Sequence, residues 1–197
     1  MAEVVLFHHA HGLTEGVHRF ADTLRQAGHT VHTPDLYDGR VFDDLAEGVE
    51  YAQSLGMATI VERGAAAVES LGPQLVFAGF SLGVVPAQHL AQNHKSATAA
   101  LLLHSCLPID AFGGAWPGSV PVQVHAMEED PWFIDADLQA ARTLVADSTD
   151  AKLFLYPGAR HLFADDSLPD YDEATAGQVM RHAVGLLNAV DARQRKP

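Results

Sequence analysis

Cys106 is the one cysteine in 197 residues, so no intramolecular disulfide can form. Cationic side chains are scarce as well. Lys plus Arg number 12 against 25 Asp plus Glu, a formal net charge of −13. A phosphate backbone is neutralised by clustered Lys and Arg, so the expected partners do not include nucleic acid. The same deficit disfavours anionic membrane surfaces. Long hydrophobic runs are missing: no stretch approaches the roughly 18 apolar residues that a membrane span requires. The apolar start Val4-Val5-Leu6-Phe7 is short and has no basic segment before it, unlike a secretory signal. With the lone cysteine, these absences lead to the expectation of a cytoplasmic protein.

Hydrophobic residues make up 48% of the chain, an ordinary share for a globular protein. The length suits a single domain over residues 1–197, able to bury a core without metal or disulfide. No repeat or low-complexity linker divides it. Short β-rich runs at 4–8, 30–33, 74–78, 99–104, 120–126 and 152–156 alternate with helical patterns. Those patterns cover 17–27, 57–71, 82–92, 132–145 and 171–190, while 41–56 carries mixed signals. Such alternation implies βαβ crossovers and a mostly parallel sheet with helices on both faces. The strands are apolar without alternation, as doubly covered strands are. Ligands of such sheets bind at the carboxyl ends of the strands, so residues just after each strand are the candidates.

One of those turns carries chemistry. After Leu75-Val76-Phe77-Ala78 the chain reads Gly79-Phe80-Ser81-Leu82-Gly83 and then enters a helix. This is G-x-S-x-G between a strand and a helix, the setting in which the motif lifts a serine hydroxyl above a sheet. The glycines are needed because the turn squeezes the residues two before and two after the serine together. The helix start places the Leu82 N–H where an oxyanion would develop.

A serine hydroxyl is a weak nucleophile and needs a base, itself oriented by an acid. On this strand order the chain sequence is Ser, then Asp or Glu, then His. Of 12 histidines, His104, His125, His161 and His182 follow Ser81 at usable distance. His104 and His125 fall within or at the end of strands, and His182 within the last helix. His161 alone follows a strand through a short loop, Pro157-Gly158-Ala159-Arg160, and is the expected base. The acid is expected after the 120–126 strand, at Met127-Glu128-Glu129-Asp130-Pro131. Asp130 is preferred, as orienter of His161 and N-cap of the following helix. Glu128, Glu129 and the more remote Asp135 remain alternatives. A second oxyanion N–H should come from the loop after the first strand, at Ala10. His8, His9 and His11 there invite a metal reading, but they lack ligand spacing on one helix and a paired carboxylate. No metal and no cofactor are expected. His9, Phe80, Trp132, Phe133 and Leu162 are the expected rim of a substrate pocket.

With these residues in place, the chain resembles the dienelactone hydrolase family of α/β-hydrolases over nearly its whole length. The resemblance rests on Pro34-Asp35-Leu36-Tyr37, Gly79-Phe80-Ser81-Leu82-Gly83, Asp130, and His161-Leu162-Phe163. It implies a three-layer α/β-hydrolase fold with little or no cap domain. It also implies a triad of Ser81, Asp130 and His161, with Leu82 and Ala10 as oxyanion donors. Three positions depart from the family pattern. The best-known members carry cysteine at Ser81 and glutamate at His9. They also carry an arginine four residues after the histidine, where this chain has Asp165 followed by Asp166. A second carboxylate-binding arginine has no aligned counterpart; Arg40 is nearby in sequence. An acid at Asp165 should repel an anionic lactone that arginines would hold.

The expected activity is therefore hydrolysis of a small-molecule carboxylic ester or lactone, by a monomer or small homo-oligomer. Thioesterase or amidase chemistry on the same triad, and a non-catalytic binding protein of this fold, remain open.

Overall fold

The computed structural model describes residues 1–195; the last two residues of the expected 1–197 domain lie outside the described residues. Six strands form the sheet: β1 (Glu3–Phe7), β2 (Thr30–His32), β3 (Leu75–Phe80), β4 (Ala97–Leu103), β5 (Val122–Met127) and β6 (Ala151–Tyr156). Their order is β2-β1-β3-β4-β5-β6, and every neighbouring pair is parallel. Because the chain reverses direction across the sheet from β1, the carboxyl ends of β1 and β3 lie side by side at the switch point.

Helices α1 (Glu15–Gln26) and α6 (Glu173–Gln194) cover one face. The other is covered by α2 (Leu45–Leu55), α3 (Met57–Ala66), α4 (Val84–Asn93) and α5 (Ala136–Asp147). Pleating sorts the strand residues between the two sides. Val5, Phe7, Phe77, Leu102 and Val124 pack under α3, α4 and α5. Val4, Leu6, Val76, Phe80 and Leu101 pack under α1 and α6. All six residues of β3 are buried, as a central strand covered on both faces requires.

Local signals explain the helix ends. The Thr14 side chain accepts the Val17 N–H at the start of α1, and Asp172 accepts from Thr175 at the start of α6. The mixed stretch 41–56 contains α2, capped by the Asp44 carboxylate on the Ala46 and Glu47 N–H groups. Several helical expectations need correction at their ends. The 57–71 pattern stops as a helix at Ala66, and residues 67–71 continue as turns. The helix expected from Trp132 begins only at Ala136, because residues before it are spent on a turn around Asp130. There the Phe133 and Ile134 N–H groups donate to the Asp130 carbonyl at 2.9 and 3.0 Å.

Candidate active site

The turn after β3 has the strain the motif requires. Ser81 sits at φ +48°, left-handed backbone for a non-glycine residue. A Cβ added at Gly79 would run into the Gly83 carbonyl, and one at Gly83 into the Phe7 and His8 carbonyls of the neighbouring strand end. The two glycines thus let the chain fold back on itself and seat the turn against β1. A Gly83→Ala protein is expected to lose about 1–3 kcal/mol of stability, since backbone atoms cannot move aside cheaply. Thermal unfolding measures this; an unchanged midpoint would contradict the close approach.

Ser81 leads into a hydrogen-bonded chain. Its Oγ lies 2.8 Å from His161 Nε2, and His161 Nδ1 lies 2.7 Å from Asp130 Oδ2. The carboxylate can only accept, so Nδ1 carries the proton and Nε2 offers its lone pair to the Ser81 hydroxyl. Asp130 is fully buried, and its other oxygen accepts the Trp132 N–H at 2.9 Å. The acid therefore orients the histidine with one oxygen and closes its own turn with the other. Glu128, Glu129 and Asp135 are exposed, and so cannot supply the same desolvated partner. The Asp130 turn and the His161 loop are also tied by backbone bonds, with the Glu128 N–H donating to Tyr156 and the Glu129 N–H to Gly158.

The Leu82 N–H opens the turn that follows Ser81, and Ala10 lies on the loop after β1, next to that turn through the Gly83 contact. This set of groups matches what acyl transfer uses: nucleophile, base, orienting acid and candidate oxyanion donors.

A family model for the dienelactone hydrolase family matches residues 1–190. The chain belongs to the dienelactone hydrolase family. No curated protein matches it significantly. Among solved structures, a dienelactone hydrolase-like promiscuous phosphotriesterase from metagenomic libraries superposes with a TM-score of 0.78 at 22% identity, covering 96% of this chain and 87% of that one. A dienelactone hydrolase from Anabaena variabilis gives 0.69 at 18% identity, covering 94% and 84%. A cold-adapted esterase from an Arctic intertidal metagenomic library gives 0.57 at 20% identity, covering 94% and 83%. At these identities the likeness establishes the α/β-hydrolase fold.

Against that family pattern, the substitutions at positions 9 and 165 turn out to touch. His9 Nε2 lies 2.7 Å from Asp165 Oδ2, with both side chains fully buried. Asp165 also accepts from Thr14 Oγ1 at 2.5 Å and from the Ser167 N–H at 2.8 Å. Burial would raise its pKa, but the His9, Ser167 and Thr14 hydrogen bonds hold the carboxyl below the usual range. Burial lowers the His9 pKa, against the opposing pull of the Asp165 carboxylate. This corrects the sequence-based argument about substrate charge. Asp165 is fully buried and tied to His9, Thr14 and Ser167, out of contact with solvent. Asp166 pairs outward with Arg19 at 2.8 Å.

The expected pocket rim is corrected too. Phe80 packs with Phe20 at 5.0 Å between ring centroids, inside the core. Phe133 belongs to the opposite core cluster, Leu162 is buried, and His9 is the buried partner of Asp165. Phe80, Phe133 and Leu162 are taken up by core packing. Trp132 alone is exposed, at 54%, and its ring tilts over His161 with centroids 5.6 Å apart. A cavity of about 640 Å³ lies elsewhere, between the turn at Ile109–Phe112 and α5.

Sequence reasoning missed Asp137 and set His104 aside as a strand-end histidine, and both neighbour the site. Asp137 accepts from Ser105 Oγ at 2.6 Å and the Cys106 N–H at 3.1 Å, and burial raises its pKa. His104, fully buried at φ +66°, packs edge-on to Phe163 at 4.6 Å and faces His161 at 5.9 Å. Burial pushes its pKa far down, so it stays neutral. No spacing signal marked either residue. Cys106 is no substitute nucleophile, because burial pushes its thiol up to about 12. Among the described residues no group of three or more His, Cys, Asp or Glu is placed to hold a metal. No helix among them is long and apolar enough to cross a membrane.

Proposed function

We propose that the protein is a serine hydrolase cleaving a carboxylic ester or lactone through Ser81, His161 and Asp130. The observation that carries the reading is the unbroken chain from Ser81 Oγ to His161 at 2.8 Å and from His161 to Asp130 at 2.7 Å. Ser81 Oγ attacks the acyl carbon while His161 Nε2 takes its proton. The carbonyl oxygen becomes an oxyanion and accepts hydrogen bonds from the Leu82 and Ala10 N–H groups. Collapse breaks the bond to the alkoxy oxygen, which leaves with the proton from Nε2. Water then attacks the acyl-Ser81 carbonyl, gives its proton to His161, and the acid departs as Ser81 regains its hydrogen. Asp130 stays ionised throughout and steadies the imidazolium.

Asp165 is ionised and buried, and it supplies no cation to hold an anionic substrate. Neutral esters fit the site better on that ground. Trp132 is the surface against which the leaving or acyl group would lie. Trp132→Ala is expected to raise KM for aryl esters about 2- to 10-fold with little change in kcat, the scale of one lost aromatic contact. Equal KM values for aryl and methyl esters in both proteins would remove Trp132 from the site.

The deciding experiment combines a fluorophosphonate probe with a panel of activated short-chain esters, thioesters and amides. Labelling at Ser81 with ester turnover is the expected result. Absence of both would leave a non-catalytic binding protein, and the pattern across the panel separates the leaving groups.

A further inference from the structure

His8, His9 and His11 are left unused by the acyl-transfer steps. All three are buried, and each ring reaches a different segment. His11 Nδ1 donates to the Phe42 carbonyl at 2.8 Å, and the Phe42 N–H returns a bond to the His11 carbonyl at 2.8 Å. The His9 ring is tied to Asp165, four residues beyond His161. His8 has a more specific arrangement. Its Nδ1 lies 2.8 Å from the His9 carbonyl oxygen, and its Nε2 lies 3.0 Å from the Leu36 nitrogen.

These partners leave one protonation pattern. A carbonyl only accepts and a backbone N–H only donates, so Nδ1 carries the proton and Nε2 the lone pair. The ring must be neutral, since a second proton would set donor against donor at Leu36. The His9 carbonyl also accepts the Gly12 N–H at 3.0 Å, so both its lone pairs are occupied. That carbonyl belongs to the peptide whose N–H is that of Ala10. In a trans peptide the N–H points opposite to the C=O, so holding one aims the other. On the far side, α2 packs against the next peptide, where a Cβ at Gly48 would strike the Ala10 carbonyl. The loop is therefore held at two successive peptides, with the Ala10 N–H directed away from the His9 carbonyl that His8 and Gly12 hold.

Resting on the acyl-transfer reading above, we propose that His8 is a positioning residue of the oxyanion hole, holding the His9–Ala10 peptide so that the Ala10 N–H meets the developing oxyanion. Histidine suits the task because it carries a donor at the δ position and an acceptor at the ε position of one rigid ring. Asparagine reproduces the δ donor and lacks the ε acceptor. Glutamine reaches the ε position and lacks the δ donor.

The test compares H8N and H8Q with the unaltered protein, measuring kcat and KM for an activated short-chain ester and the rate of Ser81 labelling by a fluorophosphonate. An oxyanion donor is worth about 100- to 1,000-fold in kcat, and a misaimed one should cost roughly 10- to 100-fold. H8Q is expected to lose that factor in kcat and in labelling rate, with KM little changed. H8N is expected to recover kcat to within about 3-fold, as the δ donor is restored. A purely structural role would instead lower the unfolding temperature of both variants and spare the kcat of whichever folds. Equal kcat in H8N and H8Q overturns the proposal, while turnover and labelling in the unaltered protein keep the acyl-transfer reading intact. An unaltered protein that is neither labelled nor active overturns both.

Discussion

A Ser81→Ala protein is expected to lose ester turnover by ~10⁴- to 10⁶-fold while remaining folded. Ser81 supplies the one oxygen that His161 Nε2 can activate, at 2.8 Å. Removing it leaves the base and the oxyanion donors with nothing to attack the acyl carbon but water. The fold should be indifferent. Alanine has no γ atom to clash, and serine already bears the left-handed strain at φ +48°. The unfolding temperature should therefore stay close to that of the unaltered protein. Asp130→Asn should approach the same loss by another route. It leaves the shape but presents an amide where His161 Nδ1–H needs an acceptor, and so favours the wrong tautomer. The losses should not add, because the three residues act as one unit. Full turnover in Ser81→Ala, measured by stopped or continuous ester assay, would refute the assignment of the nucleophile.

Lowering the pH from 6.5 to 4 is expected to remove several kcal/mol of stability. Burial pushes His8 down to about 4 and His125 down to about 3. In the unfolded chain both titrate near 6.5. Between those values the unfolded state binds protons that the folded state refuses. Stability therefore rises with pH across the window and falls as pH drops through it. Each histidine contributes roughly 3 kcal/mol by pH 4, from the size of its shift. Both environments support the sign. The His8 Nε2 lone pair is committed to the Leu36 N–H, and burial outweighs the His9 carbonyl and the Asp35 carboxylate at 3.7 Å, which favour a charge. His125 stacks on Phe154 at 4.7 Å and faces His182, a neighbour that further opposes protonation. Asp165 acts in the same direction at lower pH. Its carboxyl is held down in the folded state, so its contribution is present above the ordinary carboxylate range and lost as pH falls below it. Urea unfolding at half-unit steps from pH 7 to 4 measures the slope. A stability constant from pH 6.5 to 4.5 would mean that these rings are protonated in the folded protein.

Much of the site was legible because its grammar is local. Gly79, Ser81 and Gly83 lie within five residues, and the clash that forces a small side chain at Gly79 acts over that same span, whereas the one at Gly83 comes from the Phe7 and His8 carbonyls across the sheet. The His161 loop and the Asp130 turn were found from their place after successive strands, since parallel strands deliver their carboxyl ends to one edge. The choice of Asp130 over Glu128 and Glu129 was weaker in sequence. Three acids in a row look alike until one of them is buried.

The pocket residues failed for a physical reason. Phe80 and Phe133 are large and apolar beside catalytic candidates, but the sheet has two faces and each ring was drawn into the core beneath one of them. Trp132 and Phe133 share one turn, and only the Phe133 side chain points into the core, leaving Trp132 54% exposed.

From the sequence by itself came the alternating parallel α/β architecture, the serine turn and the order of Ser81, Asp130 and His161. The first follows from hydrophobic periodicity, the second from steric limits at the turn, and the third from position after successive parallel strands. Only the tertiary structure decided what the histidines after β1 and the acid at Asp165 do. His9 and Asp165 are 156 positions apart, and a charge read along the chain gives no sign of whether it faces solvent or a buried partner. Desolvation turned Asp165 from an apparent barrier to anionic ligands into an internal tie. It also turned His8 from a metal-like residue into a neutral clamp between Leu36 and the His9 carbonyl.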